Sequence, residues 1–488
     1  MRKAYSNQTR LDSRTVLDVE LNLECRDEII PILGALQHIY GKPELRDAIL
    51  NLIAGDVNAD ARDDRGREGM DYWQILVLAA VRIGCDLDYD KLQDLAEQHR
   101  ALRHMMGIGD WDEEMHFGWR RIRDNVCLLR PATIEQISHL IVNAGHELEP
   151  EAVKKARADS FVVETNIHYP SESSLMLDGV RVILDLCVLL AGRFDLAGWR
   201  QHEHLLKRVK QLNRNIARIS SRKGPRYQKR LKKQYRKLLK RTRKILRQAE
   251  HLCDELQLRR LNETEQAQLD RLKTFIERTL QVCGTARRRV LKGEKVLNED
   301  KLFSLFEPHT QLYKRGKAGE PIQFGRLVMV YEDASGFITH HHVLPRDAQD
   351  QDVVVEQTRI VQERLQGRIE EASFDRGFHS PDNQEKLAQI VKHPCLPKPG
   401  TKQSVKQQAE ASIQFHKARQ RHSGVESGIG ALQRGNGLKR SRDRTELGFE
   451  RYVALAILGR NLHTLGKVVI ARQNADWEAA KTKRKAAA

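Results

Sequence analysis

The sequence lacks the features of an exported, disulfide-stabilised or membrane-spanning protein. Its 7 cysteines stand far apart and form no C-x-x-C pair, which argues for a reducing compartment and against a disulfide framework or a zinc knuckle. No apolar segment of the kind found in a secretory signal follows the basic N-terminus. The longest apolar runs, residues 180–190 and 452–458, are short or interrupted by charge, whereas a bilayer requires ~20 apolar residues. We therefore expect a soluble, cytoplasmic protein without a membrane partner.

Two further features bear on the chemistry. The sequence contains no G-x-x-x-x-G-K-[ST] loop, which argues against nucleotide hydrolysis. It does contain three consecutive histidines, of which His340 and His342 would share one face of a strand and suit a metal ion. Consecutive histidines on a polar hairpin are more often simply exposed, and we expect that here.

Positive charge is concentrated in one segment. The formal net charge is +18, and residues 207–247 contain 19 Lys and Arg but no Asp or Glu, so the rest of the chain carries 18 − 19 = −1. Such a stripe attracts polyphosphates without reading sequence, although a solvated basic helix or a patch for an acidic protein would look the same. The pattern favours nucleic acid, and the predicted contacts are Lys229, Arg230, Lys232, Lys233, Arg236 and Lys237.

Residues 1–150 are predicted to be helical. Apolar residues recur every three or four positions through residues 43–54, 72–83, 89–96 and 117–129. A basic late helix containing Trp119, Arg120, Arg121 and Arg123 fits a helix-turn-helix reader of DNA, while a helical packing or dimerisation domain explains the same pattern.

The remainder of the chain alternates between strands and helices. Residues 160–167 have the β-branched composition of a strand, and a helix is predicted over 177–190. A basic helical or coiled-coil insertion follows over 196–300, with a seam through Leu231, Tyr235, Leu238, Thr242, Ile245, Ala249 and Leu252. Gly224-Pro225 is predicted to break this insertion, and Asn262 with Glu265 is predicted to form the capping box that begins its third helix.

Strands resume at 327–332 and 337–344, which flank a hairpin signal at Asp333–Gly336, and again at 368–374. A helix is predicted over 353–365, and Ser380-Pro381 begins another. The fold class is therefore α+β and helix-rich: a helical region (1–150), a mixed sheet in two parts (155–195 and 301–470) around the insertion (196–300), and a basic tail (471–488).

Three acidic residues occupy distinctive positions. Asp159 lies at the head of the first strand, Asp375 lies where a strand gives way to a turn, and Glu426 lies on a helical turn within glycine-rich residues 423–437, which we interpret as a flexible loop. Carboxylates with waters and phosphate form the coordination shell that magnesium prefers, and two such ions support in-line phosphodiester chemistry. Each residue alone has an ordinary structural interpretation, and periodicity does not single these three out.

Three blocks of the sequence resemble the signature blocks of DDE transposases from bacterial insertion sequences, in particular the unclassified ISNCY-type elements. The blocks read DSFVVETNIHYP from Asp159, SFDRGFHS from Ser373 and RHSGVES from Arg421. Further matches at residues 92–107, 324–325 and 461–463 extend the resemblance over nearly the whole chain. Three blocks in the family's order are far more specific than one motif.

The resemblance implies a ribonuclease-H-like core in which Asp159, Asp375 and Glu426 bind two Mg²⁺ ions, for which Mn²⁺ would substitute. It implies cleavage and strand transfer on double-stranded DNA, with terminal inverted repeats and target DNA as partners and a homodimer as the assembly. Where relatives often place Arg and Lys around the glutamate, this chain has His422 and Gln433, and the neighbouring Arg421 and Arg434 are the predicted DNA contacts together with His422.

Three alternatives remain at this point. Glu164 rivals Asp159 as first ligand, but it lies five residues along the strand and thus on the opposite face. A non-catalytic nucleic-acid-binding coiled-coil protein explains the basic stripe but not the three acidic blocks. A metal-dependent nuclease without strand transfer would share the same site.

Overall fold

The computed structural model describes residues 2–5, 12–58, 69–112, 116–314, 321–398 and 412–487. The chain forms two compact units, the first from residues 1–166 and 326–488 and the second from residues 167–325. It is a helix-rich α+β protein with a mixed, curled sheet, which confirms the predicted class at that level.

Within the described residues, seven α-helices precede the first strand. The N-terminal helices are α1 (Ile29–Tyr40), α2 (Pro43–Val57), α3 (Tyr72–Gly84), α4 (Tyr89–Gln98), α5 (Arg100–Met105), α6 (Trp119–Val126) and α7 (Pro131–Leu148). Next come β1 (Lys155–Glu164), α8 (Glu172–Arg193), α9 (His202–Arg222), α10 (Tyr227–Gln257), α11 (Glu263–Ala286), β2 (Gln311–Tyr313), β3 (Gln323–Asp333) and β4 (Ile338–Val343). The chain ends with α12 (Asp350–Arg364), β5 (Glu371–Phe374), α13 (Pro381–Ile390), β6 (His393–Cys395), α14 (Ile413–His422), α15 (Gly424–Gly435) and α16 (Glu446–Ala487).

The sheet of the first unit has the order β3–β1–β5–β6, and β4 pairs with β3. The β1–β5 and β5–β6 pairs are parallel, whereas β3 and β4 form the predicted antiparallel hairpin. In that hairpin Gly336 adopts φ +86°, a conformation that residues with a Cβ rarely tolerate. Strand β3 begins in the second unit, where β2 pairs with its first three residues.

Helix α16 is the centre of the first unit. Helices α1, α3 and α7 pack against it, and their aliphatic side chains share one hydrophobic core with residues of β1, β3 and α15. Helices α3 and α16 approach so closely that a Cβ on Gly459 would lie 2.7 Å from the Gly84 Cα. The N-terminal helices and the sheet therefore pack as one body. The predicted boundary at residue 150 falls inside this body.

Residues 446–482 of α16 are long and apolar enough to cross a membrane by length and composition. In the fold, 72% of the most apolar window is buried inside the protein, as expected for a core helix. The run at 452–458 that stands out in the sequence is thus part of the core of this unit.

A buried ion pair fixes the segment between α15 and α16. The Arg82 side chain, 1% exposed, donates to Asp443 at 2.6 Å and stacks over the Tyr89 ring at 3.9 Å. The Asn436 amide donates to the carbonyls that end α3, and Tyr452 donates to the Gly437 carbonyl. The chain that leaves α15 is therefore attached to α3 at Asn436 and Asp443 and to α16 at Gly437.

The second unit is a bundle of α8, α9, α10 and α11 with its own hydrophobic core. The predicted seam on α10 is confirmed, because all its members except half-buried Leu231 are buried. Asn262 and Glu265 form the predicted capping box of α11, and the predicted break at Gly224-Pro225 separates α9 from α10. Helix α8 belongs to this bundle, although the sequence grouped it with the sheet.

Three local predictions require correction. Strand β1 begins at Lys155, so Asp159 lies in the middle of the strand and not at its head. Residues 424–435 form a helix and not a flexible loop. Glycines in this helix let it pack closely against its neighbours. His340 is buried and hydrogen-bonded to Gln357 and Arg364, because the hairpin is packed against α7 and α12.

The contact between α3 and α16 yields a stability prediction. Gly459→Ala is expected to lower the free energy of unfolding by about 1–3 kcal/mol, since its Cβ would meet backbone atoms that cannot move aside. Thermal and denaturant unfolding followed by circular dichroism measures this change.

Gly55→Ala is the matched control. Gly55 also lies in a helix, but a Cβ there meets no described residue within 4 Å, so the substitution should stabilise by about 0.4–1 kcal/mol. Equal effects of the two substitutions would contradict the packing described here.

Candidate active site and nucleic-acid interface

The parallel pairing of β1 with β5 brings Asp159 and Asp375 together. The register pairs Arg157 with Ser373 and Ala158 with Phe374. Asp159 and Asp375 are the next residues on each strand, and Asp375 keeps an extended backbone at φ −74° and ψ 164°. Because neighbouring strands lie about 5 Å apart, the two aspartates are adjacent and project from the same face.

Each aspartate is oriented by the residue that follows it. One carboxylate oxygen of Asp159 accepts the backbone N–H of Ser160 at 2.7 Å. One oxygen of Asp375 accepts the backbone N–H of Arg376, also at 2.7 Å, and so begins the short turn at residues 376–378. Asp375 is exposed and Asp159 is half-buried, so the pair lies at the surface.

Helix α14 is attached to this face of the sheet by its last two residues. Arg421 forms an ion pair with Glu371, and His422 Nδ1 lies 3.2 Å from Ser373 Oγ. Residues 371, 373 and 375 alternate onto one face of β5, so α14 ends directly beside Asp375.

Helix α15 covers the same face next to β1. A Cβ on Gly424 would lie 2.3 Å from Arg157, and a Cβ on Gly428 would lie 2.5 Å from Glu332. Glycine at both positions lets the helix backbone lie close to these two side chains. Glu426 lies between them in the first turn of the helix, with its side chain exposed. The helix that carries Glu426 thus covers the face of the sheet on which the two aspartates lie.

An ion pair beneath α15 holds this arrangement. Arg157 Nε donates to Glu332 Oε2 at 2.9 Å, and its guanidinium also donates to the Arg421 carbonyl. Burial raises the pKa of Glu332, and the charge of Arg157 opposes that rise. Burial likewise lowers the pKa of the nearby Arg460 guanidinium, and the Glu332 charge opposes it. Arg157 therefore links β1, β3 and the end of α14.

His422 lies in the electrostatic field of two of the three acids. Burial lowers the pKa of its imidazole, the negative charge of Asp375 opposes that fall, and Glu426 opposes it more weakly. The pKa of His422 therefore lies below the ordinary histidine value, and the charges of Asp375 and Glu426 keep it from falling further.

The donor chemistry at the aspartate pair suits a hard divalent cation. Magnesium binds one or two carboxylates, with waters and phosphate oxygens as its other ligands. In the part of the chain that the structure describes, no group of three or more His, Cys, Asp or Glu is placed to hold a metal ion. The two aspartates therefore fit a two-carboxylate site, and Glu426 does not complete a preformed three-ligand site.

The rival acid Glu164 has a separate role. Its carboxylate pairs with Arg440 at 2.8 Å, and its backbone bridges the same residue at the far end of β1. Strand alternation places it on the face opposite Asp159. It links β1 to the segment that follows α15.

The predicted DNA contacts near Glu426 are partly engaged within the fold. Arg421 pairs with Glu371 and His422 with Ser373, whereas Arg434 is exposed at the end of α15. A contact between any of these three residues and DNA stays a prediction, as does DNA reading by α6.

The second unit carries the basic stripe. Lys229, Arg230 and Lys233 are exposed on the first turns of α10, and Lys232 is half-buried there. Arg236 and Lys237 instead line a cavity of about 1070 Å³ beside α9 and α10. Two of the six predicted contacts therefore line this cavity, and the other four lie toward the N-terminal end of the same helix.

Sequence reasoning missed the residues that support the acids. Arg157 and Ser373 stand two residues before Asp159 and Asp375, and the alternation of a strand would have placed them on the same face. In α10, helical spacing would have extended the basic surface to Lys240, Arg243, Lys244 and Arg247.

Comparison of the chain with protein-family models, curated proteins and solved structures returned no match.

The placement of His422 yields a titration prediction. Asp375→Asn should lower the pKa of His422, and Glu426→Gln should lower it by less, because each removes a negative charge that favours the protonated ring. NMR of histidine-labelled protein in a chelator measures both pKa values, with the His422 signal assigned by its loss in His422→Gln.

Asp382→Asn, a neutralised acid on α13 that pairs with Lys386, is the control and should leave His422 unchanged. If neither Asp375→Asn nor Glu426→Gln changes the pKa of His422, then His422, Asp375 and Glu426 do not lie close together on one surface.

Proposed function

We propose that this chain is a DNA transposase of the DDE type with a ribonuclease-H-like core, and that Asp159, Asp375 and Glu426 form its active site. The observation that carries the proposal is the register of β1 and β5, which sets Asp159 beside Asp375 although 216 positions separate them (375 − 159). The resemblance of three sequence blocks to that family names the same residues.

The proposed chemistry is phosphodiester cleavage at the ends of a mobile element, followed by attack of a DNA 3′-hydroxyl on target DNA. Mg²⁺ held by Asp159 and Asp375 would lower the barrier by stabilising charge on the attacking and leaving oxygens. The chain's own part is to orient these carboxylates through the Ser160 and Arg376 N–H groups, and no covalent protein nucleophile is required.

Glu426 is proposed as the third acid because of the position of its helix, α15. Helix α15 covers the face on which the aspartates lie, and the contacts of Gly424 and Gly428 fix that helix in place. Glu426 itself is exposed and lies two residues from each glycine, on the side of the helix that points away from the sheet. Since the described residues contain no preformed three-ligand group, the participation of Glu426 requires a change in its side chain or in α15.

The proposed partners are the terminal inverted repeats of the element and its target, both double-stranded DNA. A homodimer is part of the proposal because joining two ends requires two active sites. DNA as the substrate also implies a cytoplasmic, nucleoid-associated location.

A nucleic-acid-binding protein without catalysis is the second candidate. The exposed position of Glu426 and the lack of a three-ligand group among the described residues favour it, and the basic surface of α10 is common to both candidates.

The aspartate pair provides the deciding test. Asp375→Asn or Asp159→Asn should reduce cleavage of DNA that carries the natural flanks of the coding sequence by at least ~100-fold, since metal assistance contributes several kcal/mol to the barrier. Binding to the same DNA should persist. Gel analysis of cleavage and fluorescence anisotropy measure the two separately.

Glu164→Gln is the matched control, because it removes an acid from the same strand on the opposite face, and it should keep most of the activity. No magnesium-dependent cleavage by the unmodified chain would favour the non-catalytic candidate. A pre-cut end with a 3′-hydroxyl should be joined to a target plasmid, and cleavage without joining would indicate a simple nuclease.

Metal binding is expected without DNA. Mn²⁺ titrated into the unmodified chain should give a calorimetric isotherm that Asp159→Asn and Asp375→Asn weaken by about tenfold or more, because each removes a charged ligand. Glu164→Gln should match the unmodified chain. Equal isotherms in all variants would place the metal elsewhere.

A further inference from the structure

Among the residues that the structure describes, the cavity beside α9 and α10 is lined by nine Lys and Arg side chains and by no Asp or Glu. Five of these cations stand on one side of α10, namely Arg236, Lys240, Arg243, Lys244 and Arg247. Arg208 from α9 and Arg287, which follows α11, face them across the cavity. The cavity lies wholly within the second unit. We call this surface the basic groove.

The cations on α10 are spaced to follow an extended polyanion. Arg236, Lys240, Arg243 and Arg247 succeed one another at four, three and four residues, which keeps them in one line along the helix. At 1.5 Å per residue the line is about 16 Å long, roughly the axial rise of five phosphates on one strand of duplex DNA. A line of this kind suits a run of phosphates better than a single anion.

None of the nine cations forms an ion pair within the described part of the chain. Other arginines of the same unit do: Arg193 pairs with Glu265 at 2.7 Å and Arg289 with Glu172 at 2.9 Å. Like charges at such spacing destabilise a helix, so this arrangement opposes folding. The opposite side of α10 offsets it by burying Tyr235, Leu238, Thr242, Ile245 and Ala249.

The lining also distinguishes among nucleic acids. Apart from the cations it contains amide side chains such as Gln211 and Gln248 and aliphatic ones such as Leu205, with no aromatic ring. Single strands are held largely by bases stacked on aromatic side chains, which this groove does not provide. Charge with neutral donors and no stacking surface matches the backbone of a duplex.

We propose that the basic groove binds the phosphate backbone of double-stranded DNA without sequence preference. The inference deepens the proposed function, since a sequence-independent contact suits target DNA, and that assignment to target DNA rests on the proposed function. Binding itself requires neither the aspartate pair nor a metal ion.

Two quadruple variants of α10 test the proposal in the full chain. The groove variant is Lys240→Gln/Arg243→Gln/Lys244→Gln/Arg247→Gln. The matched control is Lys229→Gln/Arg230→Gln/Lys232→Gln/Lys233→Gln on the same helix. Each removes four charges, and each set contains three exposed side chains and one half-buried side chain, but only the first set lines the groove.

Affinity for a labelled random-sequence duplex is measured by anisotropy across a salt series, with a chelator present to prevent cleavage. The groove variant should bind at least roughly tenfold more weakly. Its plot of log affinity against log salt concentration should be less steep, with a slope smaller in magnitude by about three to four. The control should change both quantities much less. Asp375→Asn should bind as the unmodified chain does, which separates this inference from the catalytic proposal.

Equal losses of DNA affinity in the two variants, or unchanged affinity in the groove variant, would contradict the proposal that the basic groove binds DNA. Stronger competition by single-stranded DNA or by an acidic protein than by duplex DNA would overturn its proposed occupant. If the groove variant fails to fold by circular dichroism, Lys240→Gln/Lys244→Gln replaces it, with Lys229→Gln/Lys233→Gln as the control and half the change in slope expected.

Discussion

The parallel ladder between β1 and β5 is the contact on which the candidate site depends. Four paired positions fix the register, and that register sets Asp159 beside Asp375 at the point where the pairing ends. A slip of one residue would turn Asp375 to the other face, because side chains alternate along a strand. The same register aligns Arg157 with Ser373, and these residues connect the strands to α14 and α15.

Several contacts in the first unit hold helix α15 in place beside this ladder. Helix α15 carries Glu426, and its glycines rest on Arg157 and Glu332 while Leu432 enters the core. Beyond its C-terminus, Asn436 and the Arg82–Asp443 pair attach the chain to α3. Removal of one partner from such a pair costs about 3–5 kcal/mol, since it leaves a buried charge uncompensated. The position of Glu426 is thus set largely by residues far from it in sequence.

The cations of the basic groove differ from the paired arginines of the first unit in having no carboxylate partner among the described residues. In the first, arginines such as Arg82, Arg157 and Arg421 are paired with carboxylates inside the fold. In the second, the cations of the basic groove have no such partners in the described part of the chain. Paired charge positions secondary structure elements, whereas unpaired charge of one sign remains available to a polyanion.

Sequence alone determined what depends on neighbours along the chain: the helices from apolar spacing, the seam of α10, the capping box of α11, the β3–β4 hairpin and the concentration of charge. Tertiary structure decided what depends on distant residues. It placed Asp159 within β1, turned the glycine-rich stretch at 424–435 into a packed helix, buried His340, joined α8 to the second unit and left four of the six predicted contacts on α10 outside the basic groove. The physical reason is that periodicity and capping act within a few residues, while register, close helix contact and burial arise only when segments hundreds of residues apart meet.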